Sequence, residues 1–79
     1  MKIKLVLYAS LAHLLPPGST GNTCTLEVEE GATVGMLLDK VGIPQDAPKI
    51  VFVNGRHAGN DHPLAADDRV AVFPPIAGG

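Results

Sequence analysis

The sequence predicts a small two-layer α+β domain in which one amphipathic helix covers one face of a mixed β-sheet. Three features of its 79 residues support this prediction. Four short segments have the alternating or β-branched pattern of strands, one segment has the stripe of an amphipathic helix, and clusters of Gly, Pro and Asn separate them. The hydrophobic content of 46% is enough for a core. We therefore expect one folded domain over residues 1–75 and a flexible tail over residues 76–79.

The first strand is predicted over residues 3–8, where apolar residues occupy every second position. Its core-facing residues are Ile3, Leu5 and Leu7. Residues 11–15 are predicted to form about one helical turn, because Pro16 and Pro17 prevent a longer helix. The Gly, Ser, Thr and Asn residues that follow, up to Asn22, predict a loop.

The second strand is predicted over residues 23–29, and the helix follows it. The inward face of this strand is formed by Cys24, Leu26 and Val28. The hydroxyl of Thr33 is suited to cap the start of the helix, whose apolar stripe has the spacing i, i+3, i+4, i+7. The stripe consists of Val34, Leu37, Leu38 and Val41. Gly42 suits the left-handed conformation that ends many helices, and Pro44 prevents continuation.

Two further strands are predicted in the second half of the chain. Residues 49–53 are β-branched and aromatic, and they end at Asn54-Gly55, a pair typical of a two-residue hairpin turn. A polar stretch follows, and residues 69–73 alternate again before Pro74 and Pro75. One face of this last strand carries Val70 and Val72, and the other carries Ala71 and Phe73. The predicted element order is β-β-α-β-β.

Composition and charge exclude several functional classes. The net charge is −2 and the six Lys and Arg residues are scattered along the chain, so no basic stripe suits a nucleic-acid backbone. The single Cys24 excludes an internal disulfide and a thiolate-rich zinc site, and it favours a reducing compartment. The N-terminal apolar residues alternate as in a strand, unlike a signal peptide, and no apolar run reaches the roughly 18 residues of a membrane span. We expect a soluble, cytoplasmic protein without a nucleic-acid or membrane partner.

The sequence closes on Gly78 and Gly79. Glycine has the least steric bulk and the widest backbone freedom, so two glycines at a free carboxyl terminus can enter a narrow active site. Glycines also accumulate at disordered ends, so this feature has to be weighed together with the rest of the chain.

The strand order, the capped helix and a last strand that leads directly to two glycines together resemble the ubiquitin-like β-grasp fold. Within that fold, the sequence resembles the prokaryotic sulfur carriers, and most closely the small subunit of molybdopterin synthase (the MoaD family). The segments that carry the resemblance are Tyr8-Ala9-Ser10-Leu11, Val53-Asn54-Gly55, Asp61-His62-Pro63-Leu64 and the run from Asp67 to Gly79. The Pro- and Gly-rich loop over residues 16–22 and His13 depart from the family pattern.

The resemblance implies a protein that enzymes use as a substrate. So short a chain has little interior for an active site, so catalysis by the isolated chain is not expected. A ubiquitin-activating-type adenylating enzyme would adenylate the carboxylate of Gly79 with ATP, and a sulfur donor would displace AMP to leave a thiocarboxylate. The chain itself would bind no cofactor and no metal. The large catalytic subunit of molybdopterin synthase would then receive the tail, Gly78 and Gly79 included, and pass the sulfur to a pterin precursor.

A partner-binding surface is expected next to the tail. By strand parity Ala71 and Phe73 face away from the core-facing valines, and Phe52 joins them on the side of the sheet opposite the helix. The predicted partner-binding residues are Phe52, Ala71, Phe73, Pro74, Pro75, Ile76 and Ala77. In the alternative interpretation, Phe73 packs beneath a neighbouring loop.

Other functions are compatible with the same sequence. One is sulfur carriage for the thiazole of thiamin or for another pathway, although the Asp61–Leu64 and Phe73–Pro75 segments favour the molybdopterin branch. Another is a ubiquitin-like modifier that is conjugated to lysines. A third is a plain β-grasp interaction module, which would not need its last two residues.

Four other features are assigned structural roles. Cys24 is expected to be a buried small hydrophobic residue and not a sulfur-relay thiol. His57 and His62 have the spacing of metal ligands but lie in a turn region, so we predict no metal site there. Leu64 is expected in the core. Asp67-Asp68 are expected to be solvated, with the alternative that an acidic surface near the tail steers a basic activating enzyme.

Overall fold

The structure is a computed structural model that describes residues 1–17 and 19–75. In this part of the chain it contains one sheet of five strands, one α-helix and one 3₁₀ helix. The strands are β1 (Lys2–Leu7), β2 (Thr23–Glu27), β3 (Ile50–Val53), β4 (Arg56–His57) and β5 (Arg69–Phe73). The α-helix is α1 (Val34–Val41), and the 3₁₀ helix covers Ala9–Leu14.

The sheet has the order β2-β1-β5-β3-β4. The two strands nearest the ends of the chain, β1 and β5, are therefore neighbours, and they pair in parallel, whereas the other pairs are antiparallel. Leu5 lies opposite Cys24 on β2 and Val70 on β5, so the apolar residues of three strands share one face. This face is the one that the helix covers.

The core lies between the sheet and α1. Its residues are at most 9% exposed, and they come from the strands β1, β3 and β5, from the helix and from the loops between these elements. They are Ile3, Leu5, Leu7, Val34, Leu37, Leu38, Ile43, Val51, Val53, Ala58, Leu64, Val70 and Val72. Leu11, Leu14 and Leu15, in and after the 3₁₀ helix, pack against this cluster from one side. No charged or polar side chain of the described residues is buried in it.

The helix begins and ends as the sequence predicts. The hydroxyl of Thr33 accepts a hydrogen bond of 3.3 Å from the backbone N–H of Met36, which satisfies one free donor of the first turn. At the other end Gly42 has a φ of +89°, and the N–H of Ile43 donates to the carbonyl of Leu38 at 2.8 Å. This pattern is a Schellman motif, in which a glycine takes the left-handed position without strain.

The Asn54-Gly55 turn joins β3 to β4 and also anchors β5. Both turn residues have positive φ, +53° and +84°, as a type I′ hairpin turn requires. The side chain of Asn54 accepts a hydrogen bond from the N–H of Arg69 at 2.9 Å and donates to Asp68 at 2.8 Å. The turn thereby fixes the point at which the last strand begins.

The predicted α+β architecture is confirmed, with three differences. The structure adds β4, which the sequence pattern did not indicate because Arg56 and His57 are only two polar residues. The short helix is a 3₁₀ helix that begins at Ala9, whose φ of +51° turns the chain directly after Tyr8. Finally, β2 ends at Glu27, because this residue is opposite Lys2, where its partner strand β1 begins.

None of the helices in the described part of the chain is long and apolar enough to cross a bilayer.

The packing of α1 gives a direct stability prediction. Leu37 is 1% exposed, so Leu37→Ala should lower the free energy of unfolding by about 2–5 kcal/mol, because a cavity replaces the lost side chain. Met36 is the matched control, since it is 52% exposed on the same helix and Met36→Ala should change stability by no more than about 0.5 kcal/mol. Urea denaturation of both variants measures the difference. Equal losses would contradict the orientation of the helix.

Candidate functional site

The apolar residues closest to the tail meet on the face of the sheet opposite α1. The N–H of Tyr8 donates to the carbonyl of Val72 at 3.1 Å, which continues the β1–β5 pairing by one residue. Tyr8 is thereby placed beside Phe73, and their rings stack with centroids 4.3 Å apart and planes 6° apart. Two residues that are 65 positions apart in sequence therefore form one aromatic unit.

Phe52 and His57 extend this unit across β3 and β4. The ring of Phe52 meets that of Phe73 edge to face, with centroids 5.9 Å apart and an interplanar angle of 87°. On its other side Phe52 meets His57 in the same way, at 5.7 Å and 86°. Edge-to-face contacts of this kind orient aromatic rings and contribute about 0.5–1.5 kcal/mol each. The four rings thus form a continuous row across the sheet.

A groove with a volume of about 490 Å³ lies over the rings of Tyr8, Phe73 and Phe52 and extends to the end of the last strand. It is lined by Tyr8, Ala9, Ile50, Phe52, Phe73, Pro74 and Pro75. Among the described residues that line the groove, Tyr8 alone has a polar side-chain atom, and none is charged. A groove of this chemistry can bind an apolar side chain of a partner.

The structure brings together most of the residues predicted to bind a partner. Phe52, Phe73 and Pro74 are half-buried, Pro75 is exposed, and all four line the groove. Ala71 is different: it is only 4% exposed, so the expectation that it belongs to an exposed patch is wrong, because larger side chains surround it on a central strand. The other predicted residues, Ile76 and Ala77 as well as Gly78 and Gly79, lie outside the described residues.

The sequence interpretation missed three residues of the groove. Tyr8 carried a usable signal, because strand parity places it on the same face as Val6 and the Tyr8-Ala9-Ser10-Leu11 motif begins with it. Ile50 also follows from parity with Phe52. The sequence carried no signal for Ala9, because this residue lines the groove only through its positive φ, which turns the chain at the rim. The pairing of Tyr8 with Phe73 could be predicted only by knowing that β1 and β5 are adjacent.

Cys24 lies elsewhere, on the edge strand β2. It is half-buried, so the prediction of a fully buried residue is wrong in degree: β2 has a neighbour on only one side, although Cys24 still packs against the core. Burial raises the pKa of the Cys24 thiol, and a hydrogen bond with the Ser19 side chain offsets only part of this effect. A thiol with a raised pKa remains protonated at neutral pH and is a weak nucleophile.

The acidic pair lies at the end of β5 opposite the groove. Asp67 and Asp68 directly precede β5, whereas the groove follows its last residue, Phe73, at a distance of roughly 17 Å along the strand. The carboxylate of Asp68 accepts hydrogen bonds from Asn54 and from the N–H of Ala65, both at 2.8 Å. Asp68 therefore shapes the turn before β5, and the pair lies at the opposite end of this strand from the groove.

Leu64 lies in the core, as the sequence predicts. Leu64 is 6% exposed in the core, and its N–H donates to the carbonyl of Ala32 at 2.9 Å. The carbonyl of His62 accepts from the N–H of Val34 at 2.9 Å, which satisfies another donor at the start of α1. Within residues 1–17 and 19–75, no three His, Cys, Asp or Glu side chains are grouped so that they could hold a metal ion.

Comparisons with known proteins agree with this geometry. Residues 13–79 match the ThiS family. The crystal structure of the small archaeal modifier protein SAMP1 from Haloferax volcanii is 29% identical, with full coverage of both chains and a TM-score of 0.74. A Pyrococcus furiosus protein assigned as subunit 1 of molybdopterin converting factor is 28% identical over 95% of this chain and 98% of its own, with a TM-score of 0.72.

A ubiquitin of Caldiarchaeum subterraneum shares the fold as well, at 25% identity over the whole of this chain and 98% of its own, with a TM-score of 0.60. No curated protein matches the chain in sequence. The five-stranded sheet with one helix is thus the β-grasp fold that sulfur carriers of the ThiS and MoaD type share with ubiquitin-like modifiers. Because the family match extends over most of its length, the chain belongs to the ThiS family.

Proposed function

We propose that this chain is a sulfur carrier that acts as the small subunit of molybdopterin synthase. Its Gly79 carboxylate is adenylated by a ubiquitin-activating-type enzyme and then converted to a thiocarboxylate. The large catalytic subunit of the synthase receives the tail and transfers the sulfur to a pterin precursor. The proposal requires that Gly79 carries a free carboxylate. Mass spectrometry of the intact protein, purified from its source, checks this requirement.

The observation that carries this proposal is the aromatic groove beside the last described residues. Pro74 and Pro75 form its end, and Gly79 is the fourth residue after Pro75. Four steps of extended chain span at most about 14 Å. A partner that binds in the groove therefore has Gly79 within that distance of Pro75. The reacting group is thus at the end of a short tether that follows the groove.

The chemistry explains why the tether ends in glycines. A carboxylate is a poor electrophile until one of its oxygens becomes part of a good leaving group. The Gly79 carboxylate attacks the α-phosphorus of ATP and displaces pyrophosphate, and a sulfide-level sulfur nucleophile then attacks the acyl carbon and displaces AMP. The activating enzyme and the large catalytic subunit must both reach the same carbonyl carbon of Gly79. Side chains at the last two positions would obstruct this access.

The proposal assigns ATP binding and sulfur donation to the partners. The groove lining has no charged group for phosphates, and the chain has no Gly-rich phosphate loop with a lysine at a helix start. The raised pKa of the Cys24 thiol argues against a sulfur relay through this residue. The role of the chain is to present one carboxylate in a defined position.

The choice of the molybdopterin pathway rests on the similarity to the Pyrococcus furiosus protein and on the segments from Asp61 to Leu64 and from Phe73 to Pro75. The ThiS match keeps thiamin thiazole synthesis as an alternative destination for the sulfur. The similarity to a small archaeal modifier protein supports a second candidate function, protein modification. The two functions differ in the bond that Gly79 forms, so a search of cellular proteins for Gly79 joined to a lysine amine distinguishes them.

Changes at the tail should abolish activation without unfolding the domain. Deleting Gly79, replacing Gly78 by valine, or adding residues after Gly79 should lower ATP–pyrophosphate exchange by the activating enzyme by about 100-fold or more. Deletion and extension displace or mask the carboxylate, and valine adds bulk where the enzyme passage is narrow. Thermal melting should be unchanged, because the core residues all precede Phe73.

An N-terminal tag is the control for the tagged variant and should leave exchange intact, since Met1 lies at the start of β1 and takes no part in lining the groove. Full exchange by the protein with a C-terminal extension would contradict the sulfur-carrier proposal and favour a plain interaction module.

The groove should matter for the affinity of partners. Phe73→Ala removes a ring that stacks on Tyr8 and meets Phe52, so we expect a loss of stability of about 1–3 kcal/mol. Loss of a buried aromatic anchor at an interface typically costs 2 kcal/mol or more, so binding to the large subunit should weaken by about 30-fold. Calorimetry at a temperature where the variant remains folded measures this.

Met36→Ala is the matched control, because it removes an exposed apolar side chain from the opposite, helical side. Its binding should be unchanged. If both variants bound the large subunit equally well, partner docking in the groove would be excluded.

A further inference from the structure

The face of the sheet opposite α1, which we call the open face, also carries a concentration of positive charge. Lys2 and Lys4 on β1 and Arg69 on β5 project from the same face as Phe73, because they alternate with the core residues of their strands. We call these three residues the basic strip. They are scattered in sequence, and only the parallel pairing of β1 with β5 brings them together.

The arrangement is unfavourable for the isolated domain. Lys4 and Arg69 are register partners on adjacent strands, so two like charges lie directly opposite each other, which destabilises a sheet. Both residues are exposed. Within the described residues neither forms an ion pair, since the salt bridge found there joins the N-terminal ammonium group to Glu27.

The acidic residues balance one end of this strip. Glu27 is opposite Lys2, and Asp67 lines the same depression as Lys2 and Lys4. Across the strands, however, the register partners of Lys4 are Thr25 and Arg69, and neither carries a negative charge. On the far side of Arg69 is Asn54, whose side chain is uncharged. A chain with a net charge of −2 therefore presents a face on which the central charges are positive.

The strip is continuous with the aromatic groove. Along β5, Arg69 is followed on the same face by Ala71 and then by Phe73, so the guanidinium-bearing position and the groove are about 13 Å apart. Other lysines are engaged elsewhere, since the amines of Lys40 and Lys49 donate to backbone carbonyls on other parts of the molecule. The open face thus combines an apolar end with a basic end at which Lys4 and Arg69 form no ion pair within the described residues.

We propose that the occupant of this face is a protein surface that places an apolar side chain in the groove and carboxylates against Lys4 and Arg69. This inference rests on the proposed function, because it specifies how the activating enzyme that adenylates Gly79 recognises the domain. Complementary charge at this position raises the association rate and fixes the orientation of the docked domain. It also accounts for the like-charge pair, whose repulsion is relieved in the complex.

The first test is charge reversal in the exchange assay. Lys4→Glu and Arg69→Glu should each raise the KM for the chain by about tenfold and leave kcat unchanged, because the tail is intact. Arg56→Glu is the matched control: Arg56 is also exposed, but its register with Val53 places it on the helix side of the sheet. It should change KM by less than about twofold. The KM of the unaltered chain should rise with salt, and that of the Lys4→Glu, Arg69→Glu double variant should not.

Equal effects of Arg69→Glu and Arg56→Glu, with normal exchange by the unaltered chain, would overturn the inference and leave the proposed function intact. Absence of exchange by the unaltered chain would count against the proposed function instead. A second measurement then decides on the basic strip.

This measurement titrates the ¹⁵N-labelled chain with the peptide acetyl-Glu-Glu-Glu-Glu-Phe-amide and with its lysine counterpart. Shifts caused by the acidic peptide should map to amides of β1 and β5, and Arg69→Glu should remove them. Shifts elsewhere, or equal shifts with the lysine peptide, would overturn the proposal. The same would follow if a single-stranded oligonucleotide shifted these amides and the acidic peptide did not, since the strip would then bind phosphate.

Discussion

The parallel pairing of β1 with β5 is the constraint on which the rest of the structure depends. It joins strands that are more than sixty residues apart, and it places Leu5 beside Val70 and Leu7 beside Val72 in the centre of the core. The same register places Tyr8 beside Phe73 on the opposite face. A parallel pair needs a long crossover, which the intervening strands, loops and α1 provide. One pairing thus forms both the core and the candidate binding surface.

The sequence predicted those parts of the fold that depend on local patterns. Thr33 and Gly42 act through hydrogen bonds to residues a few positions away, so the bounds of α1 could be read from them. Asn54-Gly55 likewise has the conformation that this pair favours. Strand β4 could not be predicted, because Arg56 and His57 are held in a strand by their pairing with Phe52 and Val53 and not by any propensity of their own.

For the candidate site, the sequence pattern could predict which face of a strand each side chain occupies and which residues end the chain. It could not predict which strands are neighbours. Phe73 and Phe52 were placed on the correct face, but the position of Tyr8 and the convergence of Lys4 with Arg69 depend on strand order, which period-2 patterns do not encode. Ala71 was placed on the correct face and still misjudged, since exposure on a central strand depends on the size of its neighbours. Asp67 and Asp68 lie near Phe73 in sequence, yet an intervening strand carries them to the far end of the sheet.

The proposed function separates two tasks that an enzyme combines in one cavity. In this proposal, the face that carries the aromatic groove binds the partner, and the carboxylate of Gly79 undergoes the chemistry. A domain this small has little interior for a protected active site, whereas its sheet surface is large relative to its volume. The apolar and weakly functionalised groove fits this division, because its residues can hold a partner without reacting.

The measurement that tests this claim most directly is the location of sulfur on the protein. The chain and its Cys24→Ser variant are incubated with the activating enzyme, ATP and a sulfur source, and the peptides are then analysed by mass spectrometry. The sulfur-carrier proposal predicts that the mass of the peptide ending in Gly79 increases by the difference between one sulfur and one oxygen atom. The increase should be the same in both proteins. Sulfur found on Cys24, with the C-terminal peptide unchanged, would contradict the proposal.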